Sequence, residues 1–254
     1  MQKRCIGNSG IEVSVIGLGT VKFGRNQGVK YPQAFAIPSD RDISNLLSVA
    51  DELGVNLLDT APAYGVSEER IGKLLQGKRH DWVISTKAGE EFADGLSVFD
   101  FSSKAITQSV ERSLQRLRTD YLDIVLIHSN GEDERIIQQD NVFATLSVLK
   151  SAGKIRAYGM STKTLAGGLL AVDEADVVMV TYNKTCVDDR EVILYAHQKQ
   201  KGIFIKKAFA SGHIQIPVAE NMQFIFSEPG VTSVIVGTIN PAHLRENIQH
   251  SCPR

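Results

Sequence analysis

The fold this sequence predicts is an α/β barrel of eight parallel strands, a (β/α)8 TIM barrel with a short N-terminal β-hairpin plugging one end. Three observations carry the prediction. Extended apolar runs alternate with amphipathic helical segments, and eight strand–helix pairs can be counted. The extended runs are nearly continuous in hydrophobic residues, as strands of a parallel sheet covered on both faces must be. Ionisable residues recur where such runs end: Asp59 in VNLLDTA, Lys87 in WVISTK and His128 in YLDIVLIH, with Tyr64 just after the first. The carboxyl ends of barrel strands converge on one mouth, so residues distant in sequence meet there. A buried strand gains nothing from ending in an unpaired charge, because burying one is costly. Pairing or chemistry is therefore implied.

The elements follow in order. KRCIGNSGIEVS reads as the hairpin, turning at Asn8-Ser9-Gly10 and plugging the barrel's amino end. VSVIGLG (13–19) leads through an irregular loop to a helix over 40–54, capped by Ser39 or Asp40, with an apolar stripe of Ile43, Leu46, Leu47 and Ala50 and a stop at Gly54. VNLLDTA precedes SEERIGKLLQG, which opens at Ser67 and closes at Gly77. WVISTK precedes a helix striped by Ile106, Val110, Leu114 and Leu117, and YLDIVLIH precedes NVFATLSVLKSAG. IRAYGMS, VVMVTY, IFIKKA and SVIVGT then alternate with four more helical segments, the last two beginning at Pro217 and Pro241. The rival is an open doubly wound sheet. It would need a Gly-rich phosphate turn, and the glycines of IGLGTVKFG at 17, 19 and 24 do not fit that spacing. Irregular pieces at about 22–39, 89–100 and 129–139 follow strands and should overhang the mouth. No linker-like stretch divides the chain, so one domain over residues 1–254 is expected.

Composition bounds the function. The chain has 254 residues, 43% hydrophobic and 22% charged, with a net charge of −1, which suits a soluble protein and argues against a polyanion-binding face. Nucleic-acid binding is not expected. Cys5, Cys186 and Cys252 form neither a metal-ligand spacing nor an even disulfide set, so a metal-free, reduced protein of the cytoplasm is expected. The start resembles no secretory leader, and no apolar run approaches the roughly 20 residues that cross a bilayer. Oligomeric state has no signal here.

Tyr64, Lys87, Asp59 and His128 together suit proton transfer. A free tyrosine ionises at about pH 10. An adjacent ammonium such as Lys87 stabilises phenolate, and a carboxylate such as Asp59 keeps that lysine charged. Histidine adds a donor that can orient a carbonyl. Such a tyrosine suits protonation of an oxygen that becomes alkoxide as hydride reaches carbon.

The segments LLDTAPAYGVSEERIGKLL, WVISTK and SVERSLQRLRTDYLDIVLIH, in this order and spacing, resemble the aldo-keto reductase superfamily. The resemblance runs from GLGT (17–20) to INPAHLRENI (239–248). It implies reduction of an aldehyde or ketone, with Tyr64 as general acid, Lys87 and Asp59 tuning it, and His128 positioning the carbonyl. It implies NADPH as cofactor, with NADH possible, and a small-molecule carbonyl as substrate. Gly19, Thr20 and Asp59 match the nicotinamide side. Ser161 matches the serine of the family's GxSN motif, read here as GMST, so Thr162 replaces its asparagine and Met179 the usual glutamine. Lys207 falls where an aromatic commonly stacks on nicotinamide. Gly237, Thr238, Asn240, Glu246 and Asn247 match the adenosine-phosphate segment, with His243 where an arginine often sits. From the resemblance, specificity rests on mouth loops and a carboxyl-terminal tail; the ending HSCPR leads to the expectation of an open mouth.

Blander readings compete. Asp59 alone could cap a loop, and His128 alone could be a core histidine. Lys87 could form a Schiff base in a barrel aldolase. A cofactor-binding sensor or regulatory subunit on the same fold, with little turnover, is the main alternative to an enzyme. By strand alternation, either Lys207 or Phe209 should line the cofactor site, with Lys206 facing away. Trp82 reads as packing, Phe23, Phe92, Phe99 and Phe101 as pocket lining or loop packing, and the pairs Glu68–Glu69 and Glu90–Glu91 as solvated charges.

Overall fold

The structure of the protein, a computed structural model, describes residues 1–214 and 216–251, so Cys252 lies outside the described residues. In chain order the strands are β1 (Lys3–Cys5), β2 (Glu12–Ser14), β3 (Ile16–Gly19), β4 (Leu57–Asp59), β5 (Val83–Ala88), β6 (Glu90–Ala93), β7 (Leu96–Phe99), β8 (Leu122–His128), β9 (Ile155–Ser161), β10 (Val177–Thr181), β11 (Gly202–Lys206) and β12 (Ser233–Val236). The helices are α1 (Val21–Gly24), α2 (Asp40–Glu52), α3 (Ser67–Leu74), α4 (Ser103–Leu117), α5 (Asp133–Gln138), α6 (Val142–Ser151), α7 (Leu165–Glu174), α8 (Arg190–Gln198), α9 (Val218–Phe226) and α10 (Pro241–Gln249).

Strands β3, β4, β5, β8, β9, β10, β11 and β12 pair in that order, all parallel, and β12 closes on β3. Strand alternation divides the apolar residues into two cores. One set, including Leu57, Ile124, Leu126, Val177, Met179 and Phe204, fills the barrel. The other, including Leu58, Val125, Val178 and Ile205, faces the helices. The β1–β2 hairpin adds Ile6, Ile11 and Val13 to the inner set and closes the amino end as expected.

Local signals place the helices. Ser39, not Asp40, caps α2: its hydroxyl accepts from Asp42 N, and the Asp42 carboxylate accepts from Ser39 N in return. The stripe Ile43, Leu46, Leu47 and Ala50 is buried. Asn240 caps α10 through Ala242 N, with Pro241 in the first turn.

The mouth loops are more ordered than the sequence reading expected. The stretch 22–39 begins within the short helix α1, and 129–139 contains α5. Residues 90–99 form an antiparallel hairpin, with Asp94 and Gly95 both at positive φ (52° and 82°) in its two-residue turn. An Asp-Gly pair favours that geometry because Gly has no Cβ to clash and Asp tolerates left-handed backbone. The phenylalanines pack these loops down. Phe23 and Phe101 are buried, Phe99 stacks on Phe101, and Phe92 lies under the Arg25 guanidinium with 3.4 Å to its ring centroid. Trp82 is in the core. Among the described residues no helix is long and apolar enough to cross a membrane.

At the amino side of β8, Asp123 ties three strands together. Its carboxylate accepts from Arg79 Nη2 at 2.7 Å, Arg156 Nη1 at 2.8 Å and Ile84 N at 3.0 Å, and its side chain is 2% exposed. Asp123→Ala would strand the Arg79 charge in the interior, which typically costs about 3–5 kcal/mol. Urea unfolding should register a loss of that order, and a loss below about 1 kcal/mol would contradict the assignment.

Candidate active site

Tyr64, Asp59, Lys87 and His128 do meet. Asp59 ends β4, Lys87 lies in β5 and His128 ends β8, while Tyr64 closes a turn of 3-10 helix, Pro62–Tyr64, directly after β4. Lys87 is 2% exposed, and its Nζ donates to Asp59 Oδ1 at 2.7 Å, Asp59 Oδ2 at 2.8 Å and the Thr60 carbonyl at 2.8 Å. That ammonium lies 4.9 Å from the centroid of the Tyr64 ring. The Tyr64 and His128 rings stand edge to face, 6.2 Å apart.

The surrounding charges act on each group. Burial pushes the Tyr64 hydroxyl up from its ordinary value, Lys87 draws it down, and Asp59 and Glu90 raise it further. The net direction is upward, so burial outweighs the lysine that was expected to lower it, and the phenol holds its proton. For Lys87, burial favours loss of the proton, but Asp59 and Tyr64 more than offset it and the pKa is raised. Burial pushes the His128 imidazole down, with Glu90 opposing.

The carboxylate of Glu90 was expected to be solvated and is not. Its Oε2 lies 2.6 Å from His128 Nδ1, off the direction of a well-aligned hydrogen bond. Burial would raise the Glu90 pKa, but His128, Ser97 and Arg25 bring it down to about 2. The reason is the hairpin: β6 begins one residue past Gly89 and sets its first side chain against His128. Glu68 is likewise buried. Its Oε1 accepts from Thr86 Oγ1 at 2.5 Å, Arg116 approaches Oε2 at 3.5 Å, and burial raises its pKa. The neighbouring Ser67 donates to the Thr20 carbonyl at 3.0 Å, so the first turn of α3 is fastened to the barrel wall.

A cavity of about 610 Å³ opens over these residues. Gly19, Thr20, Asp59, Tyr64, Lys87 and His128 line it at one end, and His243, Glu246 and Asn247 of α10 at the other, with Ser161, Gly237 and Thr238 also in its wall. Thr162 and Asn240 do not line it: Thr162 is buried behind the wall, and Asn240 is committed to capping α10.

Lys206 requires a correction. It was expected to face away, but β11 pairs Thr181 with Lys206 and Met179 with Phe204. Phe204 and Met179 point into the barrel, so alternation turns Lys206 inward as well. Lys207 follows at φ 52°, outside the strand, with its carbonyl accepting from Asn183 Nδ2 at 2.9 Å. Lys206, Lys207 and Phe209 all line the cavity, where one of the latter two was expected to do so alone.

Residues 15–215 match the Aldo/keto reductase family. The chain belongs to that family. Like its relatives it is an oxidoreductase. The oxidoreductase YqkF of Bacillus subtilis is 29% identical over 293 aligned positions, covering 98% of this chain and 90% of that protein. The NADH-specific methylglyoxal reductase of Escherichia coli is 32% identical over 199 positions, covering 72% of this chain and 59% of its own length. A crystal structure of an aldo-keto reductase from Pseudomonas aeruginosa superposes with a TM-score of 0.91 at 51% identity, covering 98% of this chain and 93% of that one.

Aldo-keto reductases generally use NAD(P)H, and the cavity offers features that fit such a group. Asn247 Oδ1 is buried without a partner among the described residues, although its Nδ2 donates to the His243 carbonyl at 2.7 Å. A buried acceptor or donor left so is rare unless something else satisfies it. A Cβ on Gly237 would come within 3.0 Å of the Tyr31 hydroxyl, narrowing the passage between the two ends.

The contact with Glu90 yields a prediction. Since Glu90 is the influence that raises the His128 pKa, Glu90→Gln should move the His128 titration to lower pH, read from its imidazole resonances by NMR. An unchanged midpoint would show that the contact carries no electrostatic coupling. Glu90, depressed toward 2, contributes stability that is present above the ordinary glutamate range and lost as the pH falls through its folded value. The variant should therefore lose less stability than the parent on acidification.

Proposed function

We propose that the protein, acting as one catalytic domain over residues 1–254, reduces an aldehyde or ketone to an alcohol, with Tyr64 as the general acid. The observation that carries this reading is the placement of the Tyr64 phenol in the mouth beside the buried Lys87–Asp59 pair. The nicotinamide cofactor supplies the hydride. The carbonyl oxygen gains negative charge as hydride reaches its carbon, and the Tyr64 hydroxyl gives it a proton. The phenolate left behind is stabilised by the Lys87 ammonium, which Asp59 keeps charged, until solvent returns the proton. His128 stands edge-on to Tyr64 and orients the carbonyl, and the phenol takes the donor's part because burial holds the imidazole's proton affinity down.

The cofactor proposed is NADPH, with NADH also accepted. Lys22, Lys163 and Lys207 give the cavity cationic walls suited to a phosphorylated ligand. Gly19, Thr20 and Ser161 serve the nicotinamide end, and Gly237, Thr238, His243, Glu246 and Asn247 the adenosine end. Glu246 beside His243 disfavours a strong preference for the extra phosphate, and the similarity to a reductase named NADH-specific supports the same view. That relative also supports a small carbonyl substrate.

Tyr64→Phe should cut carbonyl reduction by roughly 10²–10⁴-fold, the usual loss of a general acid. Nicotinamide oxidation followed by absorbance over a carbonyl panel reads the rate, and calorimetric titration should find cofactor affinity close to that of the parent. Retention of most of the activity would refute the role given to Tyr64.

A further inference from the structure

Lys206 brings a second ammonium to the floor of the cavity, and nothing in the reduction step above uses it. Its Nζ donates to Ser161 Oγ at 2.8 Å and to the Thr162 carbonyl at 2.6 Å, both neutral acceptors. Among the described residues no carboxylate is in ion-pair contact with it. The acids within electrostatic reach are Asp189 and Asp133. Each is committed elsewhere: Asp189 Oδ2 accepts from Thr181 N at 3.1 Å, and Asp133 Oδ2 from Lys163 N and Thr164 N, both at 2.7 Å. Cations act on Lys206 from the other sides, with Lys207 next in the chain and Lys87 from β5. The charge on Lys87 is neutralised by Asp59; among the described residues that on Lys206 has no such counterion.

We propose that Lys206 sets the redox preference of the bound cofactor, its charge at the cavity floor favouring the reduced nicotinamide over the oxidised one. The inference rests on the carbonyl-reductase reading. A hydride donor must reach the carbonyl carbon held at Tyr64 and His128, and the floor beside them is built from Ser161, Met179 and Lys206. Oxidised nicotinamide carries a positive charge that the reduced ring lacks. Like charges in a partly desolvated site repel strongly enough to separate the two affinities by about tenfold or more. Met179 brings no compensating charge. The arrangement works in the direction of reduction: it holds the donor form and loosens the spent one.

The effect should depend on pH. Burial, aided by Lys207, brings the Lys206 pKa down to about 7. The ammonium, and with it the discrimination, is present below that value and fades above it. Lys207, Lys163 and His128 also face this region, so the variants below isolate the contribution of Lys206.

Calorimetric affinities for NADPH, NADP⁺, NADH and NAD⁺ across about pH 6 to 8.5 test the proposal without requiring turnover. In the parent, the ratio of oxidised to reduced dissociation constants should be highest at low pH and should fall as pH rises. Lys206→Met should lower the low-pH ratio about tenfold and flatten its pH dependence, whereas Lys206→Arg, charged throughout, should keep the ratio high at every pH. A ratio unchanged in Lys206→Met overturns the proposal. Equal weakening of both redox forms overturns it too, since the lysine would then be a contact indifferent to ring charge. If the parent binds none of the four nucleotides, the functional reading falls and this inference falls with it.

Discussion

Everything at the mouth is arranged around one constraint, the need to satisfy an ammonium that the barrel has taken out of water. Lys87 Nζ reaches three oxygens, two from Asp59 and one from the Thr60 backbone, all within 2.8 Å. An isolated charge so buried would lose its proton or destabilise the fold. Meeting the requirement fixes the end of β4, because Asp59 and Thr60 must both turn toward β5. The next residues, Ala61 to Tyr64, form a short turn, and the phenol then falls beside the same ammonium. The position of Tyr64 is thus a consequence of solvating Lys87 internally.

A second set of contacts holds that turn from behind. Ser67 bonds to the Thr20 carbonyl and lies 3.1 Å from Thr60 Oγ1, and Thr20 Oγ1 donates to the Asp59 carbonyl at 2.9 Å. Glu68, buried beside Thr86 and Arg116, anchors the start of α3 against β5 and α4. These residues touch no part of the cavity except through Thr20 and Asp59, yet they limit how far Tyr64 can move.

The barrel was legible in the sequence because its signals are local and repeated: apolar runs of strand length, helix caps such as Ser39 and Asn240, and strand-end residues that only a convergent mouth explains. Asp59, Lys87 and His128 could be read for that reason, since each ends or nearly ends its run. Glu68 and Glu90 could not, because acids at a helix start or in a loop look solvated until the tertiary neighbour is known. For Glu90 one clue was present, the Asp94-Gly95 turn, which marks a hairpin and so implies that the strand before it returns over the barrel. Lys206 and Lys207 turned on register. Two adjacent lysines at a strand end offer no internal phase, and only the pairing of Phe204 with Met179 shows which one faces inward.

The hairpin 90–99 joins two properties that loops usually keep separate. Mouth loops are where a barrel enzyme diversifies, since they can be exchanged without disturbing the strands. Here the hairpin packs beside the pocket and brings the carboxylate against His128, and Arg25 clamps it by stacking on Phe92 while donating to the Ala63 carbonyl next to Tyr64. Replacing this loop to admit a different ligand would therefore also shift the proton affinity of the imidazole and loosen the turn that carries the phenol. A change of ligand made through this segment is therefore a coupled change, and it extends to the loop beyond Arg25, whose guanidinium also holds the Gln27 and Gly28 carbonyls.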